Sequence, residues 1–233
     1  MPTLFLVRHG RTAANTAGVL AGRSRGVGLD PTGERQAQQA ATRLAAVDLA
    51  LVAASPLQRT MQTARAVVAA QKGDPTLRRE PGLVECGYGR WTGRKLTDLA
   101  KEPLWSQVQE QPSAVTFPGG ESMPAMAARA VETVRRTDRA LTRRHGDDAL
   151  WAAVSHGDVI KAVLADALGM HLDAFQRIAV APGSVSVVAY GLRRPTVLLM
   201  NDSGSDLAPF GRRADASGTD GPRSGDAPVG GGA

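Results

Sequence analysis

The sequence contains a single cysteine, Cys86, among 233 residues. One cysteine excludes an intrachain disulfide and a cysteine-rich metal site, and it is typical of proteins from a reducing compartment. No apolar run approaches the roughly 20 residues that a membrane-spanning helix needs. No basic and apolar leader precedes Leu4. These absences predict a soluble, cytoplasmic protein without a signal peptide or a membrane span.

Aromatic residues and lysines are also scarce. Aromatics make up 4% of the chain, so a core has to be built mainly from the Ala, Val and Leu within its 42% apolar content. Arginines far outnumber lysines and dominate the net charge of +6. The charge suits attraction of an anionic substrate, although a compositional preference for Arg would explain it as well. The basic residues form no tract and no alternation with aromatics, so nucleic acid is not expected as a partner.

Short apolar strands alternate with helical segments along most of the chain. Because residues 184–190 alternate in polarity, that strand suits the antiparallel side of a mixed sheet. We therefore predict an α/β fold, a three-layer sandwich with a mostly parallel mixed sheet flanked by helices on both faces. The predicted strands are 3–8, 49–54, 150–155, 184–190 and 195–200, and the predicted helices are 32–46, 56–71, 122–144 and 158–168, with a weakly helical segment at 96–110.

The composition changes after about Asp202, where Gly, Ser, Asp and Pro dominate. Such a segment has too few apolar residues to build a core. We predict one domain over residues 1–202 and a disordered tail over residues 203–233.

Two of the predicted strands end on similar polar residues. The first runs into Arg8-His9-Gly10 and a later one into Ser155-His156-Gly157. In open α/β sheets the carboxyl ends of the strands carry the binding site. A helix that starts near Ser55, a good N-cap, with Pro56 in its first turn, adds Arg59 at the anion-attracting end of its dipole. Two His, two Arg and a helix N-terminus predict a phosphate site.

Further segments in the same order complete a pattern that resembles the histidine phosphatase superfamily, also called the phosphoglycerate mutase-like family. The resemblance covers residues 3 to 200. Its segments are Arg8-His9-Gly10 with Thr12 and Asn15, then Gly22, Leu29, Thr32-Gly33 and Gln36-Ala37, then Ser55-Pro56-Leu57 with Arg59 and Gln62-Thr63-Ala64, then Leu83, Glu85, Gly89, Trp91 and Gly93, then Pro118-Gly119-Gly120-Glu121-Ser122 and Ser155-His156-Gly157.

The resemblance implies a catalytic role for each core residue. His9 would attack phosphorus to give a phosphohistidine, Arg8 and Arg59 would bind the phosphate oxygens, and His156 would bind the phosphoryl group as an imidazolium. Glu85 would protonate the leaving group and later deprotonate water, so burial should raise its pKa. No metal and no cofactor are implied, because Arg and His supply the positive charge.

Four further residues are expected to bind substrate around this core. They are Asn15, through its amide side chain, the loop residues Gly22 and Arg23, and Gly157. Two positions depart from the family, which commonly has Glu where this chain has Arg11 and often Trp where it has Ala14. The loop between Gly22 and Gly33 is also one residue longer than usual. These departures leave the identity of the substrate open.

The expected function is a metal-independent phosphatase that hydrolyses phosphomonoesters, favouring small molecules. A phosphomutase of the phosphoglycerate mutase type is the alternative. In such mutases Arg-His-Tyr-Gly follows the glutamate, and an insertion carries paired arginines, whereas here Cys86-Gly87-Tyr88-Gly89 follows and residues 94–117 contain no Arg-Arg pair. A non-catalytic phosphate-binding protein is a further alternative, and an acyl hydrolase is disfavoured because no Gly-x-Ser-x-Gly is present. The oligomeric state is left open.

Overall fold

A computed structural model describes residues 2–191 and 194–211, and its centre is one six-stranded mixed sheet. The strands lie in the order β3-β2-β4-β1-β5-β6. The four strands β3, β2, β4 and β1 are mutually parallel, and β5 and β6 run antiparallel to their neighbours. The strand bounds are β1 Thr3–Arg8, β2 Leu49–Ala54, β3 Thr76–Arg79, β4 Leu150–Ser155, β5 Val185–Tyr190 and β6 Pro195–Asp202.

Seven α-helices accompany the sheet in the described ranges, and the four long ones cover both of its faces. The pair α2 and α3 packs on one face with Phe5 and Val7, and α6 and α7 pack on the other with Leu4 and Trp151. The predicted three-layer α/β fold is confirmed. The helix bounds are α1 Ala13–Thr16, α2 Pro31–Leu44, α3 Gln58–Ala70, α4 Leu96–Leu99, α5 Leu104–Glu110, α6 Met123–His145 and α7 Gly157–Ala167.

The predicted strands match the structure, but β3 was not expected. Its sequence, Thr-Leu-Arg-Arg, has no apolar alternation, and its side chains are mostly exposed or half-buried. Backbone pairing to β2 holds this edge strand in place, with Leu51 opposite Thr76 and Ala54 opposite Arg79. The pairing partner lies far along the sequence, so the local pattern of residues 76–79 contains no sign of it.

Two predicted helix caps are wrong and two helix ends follow expectation. Ser122 caps α6 by accepting a hydrogen bond from the Ala125 N–H, and Gly146 ends that helix with a φ of 83°. The sequence also predicts both of these ends of α6, as well as N-caps at Ser55 and Asp158 for the two helices that start at the site. However, α3 begins at Gln58 rather than 56, and Ser55 does not cap it. Asp158 is not a cap either, because α7 begins one residue earlier with His156 in the N-cap position.

The folded unit continues past the predicted boundary at residue 202. Leu207 is fully buried among the side chains of the α2–α3 face, and Phe210 packs against the same cluster. Arg43 of α2 also donates to the carbonyl of Ser205 at 2.9 Å. The segment 203–211 therefore packs on the domain rather than belonging to a tail. The rest of the predicted tail, residues 212–233, lies outside the described residues.

Within the described part of the chain, no helix combines the length and the apolar character that crossing a membrane requires.

Candidate active site

The sheet register brings the sequence-distant motifs to one edge. Arg8 at the end of β1 pairs with Ser155 at the end of β4, so His9 and His156 leave neighbouring strands side by side. Their ring centroids lie 5.2 Å apart in an edge-on arrangement. On the other side of β4, the Ser55 N–H donates to the Val154 carbonyl, which places the start of α3 and its Arg59 beside both histidines. The predicted phosphate site is thus assembled from three strand ends.

His9 is buried and has one defined tautomer. Its Nδ1 lies 2.7 Å from the carbonyl oxygen of Gly10, and Arg59 Nε donates to its Nε2 at 3.2 Å. Nδ1 therefore carries the proton and Nε2 keeps its lone pair. Burial, followed by the charge of Arg59, lowers the pKa of His9 to about 3. The imidazole is consequently neutral at physiological pH, as a nucleophile has to be.

Close backbone packing fixes the loop that carries this histidine. Gly10 lies so near α2 that a Cβ at position 10 would come within 2.1 Å of the Gly33 carbonyl oxygen. Backbone atoms cannot yield to such a contact, so only glycine fits. The Gly10 N–H also donates to the Thr63 hydroxyl at 3.2 Å. The loop therefore holds the His9 ring in a fixed position above the sheet edge.

Arg8 and Arg59 are both oriented by backbone carbonyls and both keep a free donor. Arg8 Nη1 donates to the Val180 carbonyl, and Arg59 Nη2 donates to the Gly22 carbonyl at 2.7 Å. Arg8 Nε and Arg59 Nη1 are buried without a hydrogen-bond partner. Unpaired buried donors are costly, and charged ones especially so. Two such atoms on arginines that line one cavity are suited to the oxygens of an anion.

His156 supplies a third buried nitrogen without a hydrogen-bond partner. It is fully buried, its Nε2 lies 2.7 Å from the Ser55 hydroxyl oxygen, and its Nδ1 has no hydrogen-bond partner. Burial, together with His9 and the two arginines, holds the pKa of His156 well below its ordinary value. The protein alone therefore favours the neutral ring, and the expected imidazolium depends on the negative charge of a phosphate group.

Glu85 lies on the loop after β3, with its carboxylate near the ring of His156. One carboxylate oxygen accepts from the Cys86 N–H at 2.9 Å, and the other lies 4.0 Å from His156 Nδ1. Burial raises the pKa of Glu85 to about 7, with a further contribution from the negative charge of Asp158. A carboxyl with this pKa can both donate and accept a proton near neutrality.

A group of three charged side chains, Arg23, Glu121 and Arg129, fixes the Glu85 loop from outside. Arg129 of α6 donates to the carbonyls of Gly82 and Glu85 and binds both carboxylate oxygens of Glu121. Arg23 donates to the same Glu85 carbonyl at 2.8 Å and also pairs with Glu121. The backbone of Glu85 is thereby tied to two arginines.

The four expected binding residues are placed differently. Gly22, Gly157 and Asn15 line the same cavity as His9 and Glu85. The side-chain carbonyl oxygen of Asn15 accepts hydrogen bonds from Thr12, so its side-chain nitrogen is the atom left for an anion. The structure does not bring Arg23 to the cavity, because its guanidinium is bound to the Glu85 loop. Arg11 is likewise turned away and pairs with Asp30 at 2.8 Å.

Arg8, His9, Arg59 and Glu85 line a cavity of about 350 Å³. Its outer part is formed by the segment that includes α4 and α5 and by the start of α7. Tyr88 donates to Asp158 at 2.7 Å across the cavity, and Lys161, one turn further along α7, donates to Gln176 at 2.9 Å. The cavity has room for a substrate considerably larger than phosphate.

Several contributors to the site were not found from the sequence. The sequence predicts Ser55 to be a helix cap, and it has no pattern that indicates a role for Arg129 or Lys161. Arg129 lies 44 residues from Glu85 along the chain, and nothing local distinguishes it from the other arginines of a basic helix. Among the described residues, no group of three or more His, Cys, Asp or Glu could hold a metal ion.

Comparison with known proteins gives a family match over most of the chain. The model for "Histidine phosphatase superfamily (branch 1)" matches residues 4–203. Phosphoserine phosphatase 1 of Hydrogenobacter thermophilus is 30% identical over 210 residues, which cover 86% of this chain and 92% of that protein. A Proteus mirabilis protein named "Probable phosphoglycerate mutase GpmB" is 33% identical over 193 residues, covering 82% of this chain and 86% of that protein.

A solved structure shows the same fold. The crystal structure of the alpha-ribazole phosphatase from Shigella flexneri aligns with a TM-score of 0.73 and 27% identity, covering 86% of this chain and 96% of that chain.

Proposed function

Because the chain belongs to the histidine phosphatase superfamily, we propose that it is a phosphatase that hydrolyses small-molecule phosphomonoesters through a phosphohistidine on His9. One observation carries the proposal. Three buried nitrogens without partners, Arg8 Nε, Arg59 Nη1 and His156 Nδ1, belong to side chains that line the same cavity as His9 or, for His156, lie against its ring, and His9 Nε2 holds a lone pair. The two guanidinium donors, together with His156 Nδ1 once the ring is protonated, match the three non-bridging oxygens of a phosphomonoester, and His9 Nε2 matches its phosphorus.

In the first step the lone pair of His9 Nε2 forms a bond to phosphorus as the bond to the ester oxygen breaks. The two arginines and His156 stabilise the charge on the three non-bridging oxygens. Glu85 gives its proton to the departing alkoxide, which leaves as an alcohol. Because the pKa of Glu85 is about 7, about half of the Glu85 carboxyl groups carry this proton at pH 7.

In the second step water attacks the phosphohistidine, and the Glu85 carboxylate accepts a proton from it. The phosphorus–nitrogen bond breaks, inorganic phosphate leaves, and the lone pair returns to His9 Nε2. The enzyme recovers its starting protonation state. Neither step needs a metal ion, because the positive charge comes from arginine and histidine side chains.

The mutase alternative needs a second set of charges for the carboxylate of a phosphoglycerate. Among the described residues that line the cavity, the cations are Arg8, Arg59 and Lys161. Both arginines belong to the phosphate end, and Lys161 is bound to Gln176. Hydrolysis is therefore the function that these residues support better. The cytoplasmic location remains a prediction from the sequence.

The test is release of phosphate from an aryl phosphate in the presence of EDTA. We expect wild-type turnover to persist with EDTA and to fall at least about 10³-fold in His9→Ala, because the nucleophile is lost. Intact-mass measurement after rapid acid-free quenching should show one added phosphoryl group in wild type and none in the variant. A folded wild-type protein that takes up phosphate from a phosphoglycerate onto His9 and passes it to a second phosphoglycerate, without release to water, would establish the mutase instead.

A further inference from the structure

The outer wall of the cavity concentrates the few aromatic residues of the chain. The sequence has three Trp, two Tyr and four Phe, and four of these side chains line this one cavity. The rings of Trp91 and Trp105 stack with centroids 6.2 Å apart and planes at 26°. Phe117 lies edge-on to Trp91 at 5.3 Å and to Tyr88 at 5.0 Å. These four residues are called the aromatic wall below.

Part of the apolar surface at the aromatic wall is not covered by other residues of the protein. Trp105 on α5 is half-buried, while the deeper members of the wall are almost completely buried. Leu96 on α4, which lines the same cavity, is 40% exposed. The other large apolar side chains that are this exposed in the described chain, Leu168, Leu198 and Met200, do not line the cavity. Apolar surface at the mouth of a concave site gains free energy when a ligand covers it.

On the polar side of the outer cavity the cation is Lys161, which already has interaction partners. The Lys161 ammonium donates to Gln176 at 2.9 Å, lies 4.0 Å from the Asp158 carboxylate and sits 5.4 Å from the centre of the Phe175 ring. A carboxylate on the substrate would compete with Asp158 for this charge and would also face the negative charge of Asp158 itself. The outer cavity is therefore unfavourable for a small phosphorylated acid.

We propose that the preferred substrates are phosphomonoesters of alcohols that carry a bulky apolar or aromatic group, which packs between Trp105 and Leu96, rather than small phosphorylated carboxylic acids. The proposal rests on the phosphatase function above and assigns the substrate class of that site. Trp105 is its main specificity-determining residue, because it is the member of the aromatic wall with surface left to cover.

The experiment compares kcat/KM for four phosphomonoesters of aliphatic alcohols: ethyl phosphate, 3-phenylpropyl phosphate, O-phosphoserine and 3-phosphoglycerate. Simple alkyl leaving groups are similar in basicity, so the first two compounds differ chiefly in the group that reaches the wall. We expect 3-phenylpropyl phosphate to exceed ethyl phosphate by about 10- to 100-fold, the factor given by covering one phenyl ring. We also expect it to exceed both phosphorylated acids.

Variants then assign the preference to the wall. Trp105→Ala should reduce the ratio of 3-phenylpropyl to ethyl kcat/KM toward 1, and Trp105→Phe should retain most of it. Leu198→Ala, which removes an exposed apolar side chain of β6 that does not line the cavity, should leave the ratio unchanged. The ratio does not depend on the fraction of folded enzyme, so partial misfolding of a variant does not alter it.

The possible results separate this inference from the proposed function. Hydrolysis of ethyl phosphate together with a preference for phosphoserine or 3-phosphoglycerate would overturn the substrate class and leave the phosphatase intact. An unchanged ratio in Trp105→Ala would also overturn it. Absence of hydrolysis for all four compounds, with no phosphorylation of His9, would refute the phosphatase itself.

Discussion

The alkaline side of the pH profile should report the proton on Glu85. Burial and Asp158 raise the pKa of this carboxyl to about 7, and the proposed first step uses the protonated form. Since kcat/KM reflects the ionisations of free enzyme and free substrate, it should decline above pH 7 for an alkyl phosphate. About half of Glu85 is protonated at pH 7 and about 1% at pH 9, so the expected decrease is about 50-fold. An ordinary glutamate would have lost its proton by pH 6.

The leaving group provides the control for this effect. Ethyl phosphate needs a proton on its departing alkoxide, whereas p-nitrophenolate leaves without one. Both substrates are dianions above about pH 7, so their own ionisation does not distinguish them there. The decline with pH should therefore be steep for ethyl phosphate and shallower for p-nitrophenyl phosphate, for which only repulsion by the ionised Glu85 remains.

Two variants test the assignment to Glu85. In Glu85→Gln, kcat/KM for ethyl phosphate should fall by about 10²- to 10⁴-fold, and the decline above pH 7 should disappear. Asp158→Asn removes a negative charge that raises the pKa of Glu85, so the decline should move to lower pH. An unaltered decline in Glu85→Gln, or equal slopes for both substrates in the wild type, would refute the reasoning.

Three more predictions concern stability and positioning. Because the pKa of Glu85 is raised in the folded state, its contribution to stability is full below pH 4.5 and is lost as the pH rises through 7. In urea titrations, Glu85→Gln should therefore raise the free energy of unfolding by about 1–3 kcal/mol at pH 8 and should hardly change it at pH 4. Leu207→Ala should lower that free energy by about 2–4 kcal/mol, and a loss below about 0.5 kcal/mol would show that segment 203–211 does not pack on the core. Arg129→Met should lower kcat for ethyl phosphate by about 10- to 100-fold with a smaller change for p-nitrophenyl phosphate, and equal losses for both would indicate a purely structural role.

The fold could be predicted because its elements have local signals. Five of the six strands are short apolar runs, and the long helices have the apolar spacing of one buried face. The sequence also indicates that β1 and β4, which end next to His9 and His156, run side by side, since two strands ending on equivalent residues are expected at one sheet edge. β3 lacks such a signal, because the strand character of Thr76–Arg79 comes from backbone pairing with β2. The arginines that hold the Glu85 loop could not be predicted for the same reason, since their partners are far away in sequence.

The wrong helix caps show where local rules give way to the site. The long helices whose first residues do not line the cavity follow the rules: Asp30 caps α2 and Ser122 caps α6 through their side chains. At the site, α3 and α7 have no side-chain cap. Ser55, the natural cap of α3, holds the ring of His156 instead, and Asp158 accepts from Tyr88.

Giving up these caps costs about 1 kcal/mol for each helix. In return, the first N–H groups of α7, beside His156 and Gly157, are left for a ligand rather than for the protein's own side chains. An anion at this position would satisfy them together with the free donors of Arg8 and Arg59. Under the proposed function, the local rules fail where a bound phosphate group would take the place of the side-chain caps.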